Sequence, residues 1–503
     1  MSSSFLPQIK NVVLLMLENR SLDNLLGWLY DPAKREKPKN VYPAGSSAEY
    51  DGLKEKTFFN PAWTWEGIRG RKVKQYPVVK CPGGLGGDQD RVPAYDPYEP
   101  FRENKEWNGV MNQLFGDQHR IHGLPRTGTP PRMTGFLQDY YAWYQTGWQG
   151  LDILWTYTPQ QLRVINQLAR LYAVSDAWFC SVPSQTNPNR AYSLCGTSLG
   201  RESNKRLDAI EQFKVPTIFN GLSDAGTSCG LYFTDIWQDS KSYTEYTFPS
   251  ISRANVEIDK MDRFFTLAKN GSLPAFTYLE PKWGYGKGEF FVQGTDYHPP
   301  THVVPGEHFL YDVFHALRTS KHWNETLFIV TFDEHGGTYD HVKPQWGAIN
   351  PDGMKGKDGF DFNLFGVRVP ALLISPYVPP STVFRAPKGS KFPFDHTSLI
   401  KTLLLWAGAD LKRVPHFGKR MQVAPTFEGV LSPTIVNNGT FKRRPTAAVT
   451  PSPGPAGAGR PLNALFEGIP FAATRAIIDR SPTIPDLLAE IAQYKADPKR
   501  YLK

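Results

Sequence analysis

A chain of 503 residues, 40% hydrophobic and 21% charged, can bury a large core and has the composition of an ordinary globular protein. No apolar run reaches the roughly 18 residues that a membrane-crossing helix needs, and four cysteines without CxxC spacing (Cys81, Cys180, Cys195, Cys229) suit buried thiols better than a disulfide framework. The formal charge of +9 fits anionic partners such as phosphate esters or acidic membrane surfaces, or simply a solvated basic surface, and without basic–aromatic interleaving nucleic acid is set aside.

The N-terminal residues lack the basic region, apolar stretch and small-residue cleavage site of a signal peptide. The expectation is a cytoplasmic chain, one exported by a signal-independent route, or the mature form of a secreted protein. The first predicted element is a strand at 11–17, which runs straight into Glu18-Asn19-Arg20-Ser21. Residues 31–128 are rich in Pro, Gly, Lys and Trp and show little periodicity, so they read as an irregular insertion or cap. Tyr140, Tyr141, Trp143, Tyr144 and Trp148 could form a cation–π cage, but helical aromatics more often fill a core.

Further short apolar runs at 171–174, 275–279, 327–332 and 369–374 read as strands buried on both faces, as in a parallel sheet. Between them, 307–320 and 397–406 carry helix-period apolar faces. Strands alternating with amphipathic helices predict an α/β fold, a mostly parallel central sheet flanked by helices. The stretch 446–462, TAAVTPSPGPAGAGRPL at its core, reads as a linker between a catalytic domain at 1–445 and a terminal segment at 463–503 with a closing helix at 484–496.

In open α/β sheets ligands gather at the carboxyl ends of the strands. Here the 327–332 strand ends in Asp333-Glu334-His335-Gly336-Gly337, and the strand at 171–174 leads to a loop reaching Thr186-Asn187-Pro188-Asn189-Arg190. Convergence of Glu18, Asn19, Asp333 and Glu334 would gather oxygen ligands whose carboxylates repel unless a cation sits among them. Oxygen ligation suits Ca, Mg or Mn, and Zn also accepts carboxylates. Taken singly, each pair could equally be a helix cap or a salt-bridge partner. Thr186 precedes Asn187-Pro188, an N-cap followed by Pro at the first helical position, where the helix dipole favours an alkoxide and a bound phosphate. From this loop alone, assisting the cap is the simpler role. Histidines stand at His119, His298, His341 and His396, and a lone histidine is more often a structural hydrogen-bonder than a catalyst.

Taken together and in order, NVVLLMLENRSLDNLLG (11–27), TNPNR (186–190), DYHPP (296–300), TFDEHGGTYDHV (331–342), 368–377 and 394–398 resemble the phosphoesterase family of non-specific phospholipases C and bacterial acid phosphatases. The resemblance spans residues 8 to 410. It implies an alkaline-phosphatase-like fold, a divalent metal held by Glu18, Asn19, Thr186, Asp333 and Glu334, and Thr186 as nucleophile. It also implies that His119 contacts phosphate, that His298 is an acid or phosphate ligand, and that Asn19, His341 and His396 serve substrate binding. Leu22 replaces the family's usual Phe. No histidine lies between His122 and His298, where phosphatases of the family can carry extra ones and this chain has Tyr232-Phe-Thr-Asp235, which tilts the expectation towards diesters. The expected substrate is therefore a phospholipid, with possible peripheral membrane contact, cleaved to diacylglycerol and a phosphorylated headgroup through a phosphothreonine. The alternatives are an acid phosphatase acting on monoesters and an inactive scaffold that binds phosphorylated headgroups. A sulfatase-like reading fails because Thr186 opens Thr-Asn-Pro-Asn-Arg rather than a Cys/Ser-x-Pro-x-Arg motif.

Overall fold

The computed structural model describes residues 6–65, 71–82, 91–92, 106–116, 124–144, 147–204, 212–287, 290–356, 359–441, 448–449, 460–461, 463–466, 469–481 and 484–501. Nine strands form the central sheet: β1 (Asn11–Leu17), β2 (Asn40–Tyr42), β3 (Ala173–Ser175), β4 (Cys229–Phe233), β5 (Val256–Lys260), β6 (Phe276–Glu280), β7 (Thr326–Phe332), β8 (Ala371–Ile374) and β9 (Thr382–Phe384). Across the sheet they run β5-β4-β6-β1-β7-β8-β3-β9-β2. Eight strands point the same way, as expected of buried, β-branched-rich runs covered by helices on both faces. The exception is β8, antiparallel to both neighbours. The sequence reading placed 369–374 among parallel strands. The reversal follows from the connection after β7, in which no helix among the described residues carries the chain back across the sheet before β8 begins.

The middle of the sheet is its driest part. Val12 through Leu17 and every residue of β7 are buried, so β1 and β7 have no solvent face. The flanking helices Arg163–Leu171, Val303–Arg318 and His396–Trp406 lay their apolar faces on this layer, with Leu168, Leu310, Val313, Leu399 and Leu403 in one continuous core. The helix Arg163–Leu171 starts at Leu162, which offers no side-chain cap. Glu307 supplies the cap from outside, accepting the Val164 and Ile165 N–H groups at 2.6 and 3.0 Å and the Tyr297 hydroxyl at 2.7 Å. Burial pushes this carboxyl up to about 7.

Residues 40–42 of the expected irregular insertion form the outermost strand β2, and 59–65 pairs antiparallel with 71–77 as a separate ribbon. Tyr140 is buried in a second apolar cluster with Phe136, Leu137 and Met133; the side chains of Tyr141, Trp143, Tyr144 and Trp148 lie outside the described residues. Residues 451–459, the heart of the expected linker, also lie outside them. The closing helix Ile484–Ala496 packs Leu487, Ile491 and Tyr494 on Ala473, Ile477 and Ile478 of the preceding helix. All four cysteines are free and buried. No helix among the described residues is long and apolar enough to cross a membrane.

Candidate active site at the carboxyl edge of the sheet

Strand register builds the site. Leu17 pairs with Phe332 across parallel β1 and β7, so the residues that follow, Glu18 and Asp333, emerge side by side at the carboxyl edge. Asn19 then leaves β1 with φ of 62°, a left-handed conformation that asparagine tolerates better than most side chains. This turn aims the Asn19 N–H at Asp333 Oδ1, 3.0 Å away. Asp333 Oδ1 also accepts the Glu334 N–H at 2.7 Å. Gly336, at φ 61°, lies flat on the Asn19 carbonyl; a Cβ there would come within 2.1 Å of the Asn19 oxygen. Glu334 turns back to accept the Gly336 N–H at 2.6 Å.

Thr186 arrives from β3. The sequence reading put the N-cap at Asn187 and Pro188 at the first helical position, but the helix Thr186–Cys195 begins two residues earlier, with Gln185 as cap. Pro188 is thus third in the helix, still within the turn whose N–H groups need no intrahelical partner. Thr186 itself sits in the first turn, at the positive end of the helix dipole. Its hydroxyl faces Asn19 Oδ1 at 3.5 Å, and the residue is 9% exposed.

One turn further on, Arg190 is buried beneath this group. Its guanidinium reaches Glu18 Oε1 at 3.0 Å and Asp333 Oδ2 at 3.2 Å, and it donates to the Tyr278 hydroxyl at 3.0 Å and the Met16 carbonyl at 3.2 Å. The Trp283 ring covers it at 4.8 Å. Sequence reasoning quoted Arg190 only as part of a motif. Its signal was positional: an arginine four residues after a first-turn threonine lies beneath it on the same helix face. Even with this cation, burial and then the Asp333 charge hold the Glu18 carboxyl well above the usual range, while Arg190 and His298 pull it down.

His298 joins the cluster. Its Nδ1–H donates to the Pro299 carbonyl at 2.5 Å, which leaves Nε2 of the neutral ring as an acceptor, 3.2 Å from Asn19 Nδ2 and 3.8 Å from Glu18 Oε2. Asp296 fixes the segment: its carboxylate accepts the Gly284 and His298 N–H groups at 2.5 and 3.1 Å, and its carbonyl accepts the Glu18 N–H at 2.8 Å.

The other histidines are placed differently. His396, the first residue of its helix, is fully buried; its Nε2–H donates to the Asp333 carbonyl at 2.6 Å, and Nδ1 faces the Trp178 indole N–H at 3.5 Å. Burial pushes its pKa down. His341 is not brought to Thr186. It binds Asp23 Oδ2 at 2.7 Å and Asp51 Oδ1 at 3.2 Å, beside Arg368, which bonds Asp23 at 3.1 Å and Asp340 at 2.9 Å. His119 lies outside the described residues. His335, adjacent to Glu334, is buried against Gln113 Oε1 at 2.8 Å, and burial pushes it down to about 3, so it is neutral at ordinary pH.

The acidic and histidine ligand atoms that meet within 4.8 Å among the described residues are those of Asp23, Asp340 and His341 rather than those expected from sequence. That cluster already contains its own cations. Arg368 takes Asp23 Oδ1 and Asp340 Oδ1, while the His341 ring and N–H take Asp23 Oδ2. Burial alone would lower the His341 pKa, but the Asp23 and Asp51 carboxylates hold it up to about 9. The group at Glu18, Asn19, Thr186, Asp333 and Glu334 offers only oxygens, and it mixes carboxylate, amide and hydroxyl.

Comparison with known proteins gives the family of the chain. The phosphoesterase family's sequence model matches residues 9–405. Non-specific phospholipase C3 of Arabidopsis thaliana is 33% identical over 405 residues, covering 78% of this chain and 69% of that protein. Non-specific phospholipase C5 of the same plant is 32% identical, covering 84% and 74%. Phospholipase C B of Mycobacterium tuberculosis (strain ATCC 25618 / H37Rv) is 24% identical, covering 79% and 73%. Among solved structures, an alkaline phosphatase superfamily protein from Vibrio parahaemolyticus aligns over 51% of this chain and 63% of that one at 15% identity and a TM-score of 0.31, too slight a likeness to argue from. The extent of the family match, running from β1 to the helix after His396, establishes that the chain belongs to the phosphoesterase family and is a phosphoric ester hydrolase.

Proposed function

We propose that the chain is a metal-dependent phospholipase C that cleaves glycerophospholipids to diacylglycerol and a phosphorylated headgroup, with Thr186 as nucleophile. The observation that carries this reading is the place of the Thr186 hydroxyl: first turn of a helix, facing Asn19 Oδ1 at 3.5 Å, above a buried Glu18–Arg190–Asp333 ion network. The phospholipase C names of its relatives support the choice of substrate class.

The donor set suits a hard divalent cation, Ca, Mg, Mn or Zn, because every group is an oxygen and the buried Glu18 carboxyl is costly to charge even beside Arg190. Glu18, Asn19, Thr186, Asp333 and Glu334 would hold it. When bound, such an ion supplies positive charge for the phosphoryl oxygens and favours the ionised hydroxyl. The protein's own groups do the rest. Thr186 Oγ attacks phosphorus, and the bond to the glycerol oxygen breaks. The neutral His298 ring, oriented by Asp296 and Pro299, takes at Nε2 the proton that the Thr186 hydroxyl gives up and hands it to the departing diacylglycerol oxygen. Water then attacks the phosphothreonine and gives its proton to His298 Nε2, which passes it to Thr186 Oγ as the bond to phosphorus breaks and the headgroup phosphate leaves. Asn19 Nδ2 and the helix N-terminus face the phosphoryl oxygens. His119 is assigned as a phosphate contact by the resemblance alone. His341 and His396, with their ring nitrogens engaged by protein groups, act on the site through the segments they hold.

The test is hydrolysis of phosphatidylcholine and of p-nitrophenyl phosphate, with and without EDTA. Lipid turnover abolished by EDTA and restored by a divalent ion is expected. Turnover of the monoester alone would make the protein a phosphatase. Silence on both with each of the four metals would favour the binding scaffold.

A further inference from the structure

Behind the nucleophile stands a group of aromatic side chains that the proposed chemistry does not use. Strand β6 ends in Glu280, a fully buried carboxylate. It accepts the Tyr243 and Thr244 N–H groups at 3.0 and 2.9 Å and the Trp283 indole N–H at 3.0 Å. These three bonds fix the Tyr243 ring between Trp237, 4.8 Å away, and Trp283, 4.9 Å away, both edge to face. Thus fixed, the Tyr243 hydroxyl donates to Asn187 Oδ1. Asn187 is the residue next to Thr186, and its own N–H donates to Asn204 Oδ1 at 2.7 Å. Trp283 meanwhile covers Arg190. A single aromatic unit therefore touches the nucleophile's helix at Asn187, beside Thr186, and at Arg190, one turn further on.

Packing alone would be met by phenylalanine at 243, since the ring is 6% exposed and its stacking partners are rings. The hydroxyl adds one thing, a bond to the residue that sets the backbone of Thr186. We infer that Tyr243 is a positioning residue, which holds the Thr186 hydroxyl in line for attack through its bond to Asn187. The inference rests on Thr186 being the nucleophile. Because misplacing a reacting group by a fraction of an ångström to an ångström costs up to about a hundredfold in rate, loss of one anchoring bond of two should cost about tenfold.

The experiment is steady-state hydrolysis of p-nitrophenyl phosphorylcholine by the full chain with its activating metal, comparing wild type, Tyr243→Phe, Asn187→Ala and the double variant, with Thr186→Ala as blank. The expected result is a kcat lowered about tenfold in each single variant, KM changed less than about twofold, and a double variant no worse than the singles. Asn187→Ala removes the bond from a half-buried position and leaves the aromatic stack in place, so it carries the test if Tyr243→Phe lowers the unfolding midpoint. A kcat within twofold of wild type in Asn187→Ala, a loss confined to KM, or additive losses in the double variant would overturn the inference. If Thr186→Ala keeps its turnover, the nucleophile assignment itself fails, and that result is distinct from the others.

Discussion

His341 provides a pH-dependent contribution to stability that can be worked out in advance. Its ordinary pKa of 6.5 is held up to about 9 by Asp23 and Asp51 in the fold, against the downward pull of burial. A histidine with a raised folded pKa stabilises the fold fully below its unfolded value and ceases to as the pH rises through the folded one. Linkage from those two values gives a contribution of about 2.5 kcal/mol at pH 7, about 1.4 at pH 8 and about 0.4 at pH 9. Two other buried groups work at lower pH. Asp340 is raised to about 6 and Glu307 to about 7, both by burial foremost, so their contributions are lost as the pH rises towards neutrality. Wild type and a His341 variant share every other titrating group, so the difference between them across the window from pH 7 to 9 reports His341. The perturbation is His341→Gln, and the assay is urea unfolding of both proteins at pH 7, 8 and 9 under identical salt. The difference in stability should shrink by about 2 kcal/mol across the window. A difference that stays constant from pH 7 to 9 would show that His341 is not held protonated by this network, and the account of the Asp23–Arg368 cluster would fall.

Arg190→Met leaves Glu18 and Asp333 buried without their guanidinium, which should lower unfolding stability by about 3–5 kcal/mol and abolish turnover; urea titration and the phosphodiester assay check it, and a variant as stable as wild type would contradict it. Gly336→Ala places a methyl against the Asn19 carbonyl in a left-handed backbone, so turnover should drop at least about tenfold, while Gly353→Ala, also at positive φ but with open space around its Cβ, loses less.

Much of this architecture could be read from sequence, and the reason is burial. Strands β1 and β7 lie in the middle of the sheet, so their sequences are mostly apolar, and the first charged residues after them, Glu18 and Asp333, mark the carboxyl edge. The missed strands were short or mixed. Val-Glu-Ile-Asp-Lys in β5 alternates charge and apolar residues as a sheet edge can, β4 contains Gly230, and β2 and β9 have three residues each. The reversed direction of β8 left no local mark, since an apolar run reads alike in either direction. At the site, sequence named the carboxylates, Asn19 and Thr186, and called for a cation among them, for which it offered a metal ion. Arg190 does part of that work. The Tyr243–Asn187 contact spans 56 positions and belongs to no motif, so only the folded chain displays it.

The central claim is that Thr186 becomes covalently phosphorylated. The direct measurement is rapid acid quench of the enzyme turning over phosphatidylcholine, followed by proteolysis and mass spectrometry of the peptide that carries Thr186. The account predicts a phosphocholine adduct on Thr186 that forms within one turnover, is absent from Thr186→Ala, and accumulates when His298→Ala slows its hydrolysis. An unmodified Thr186 peptide during full turnover, or undiminished turnover by Thr186→Ala, would contradict it.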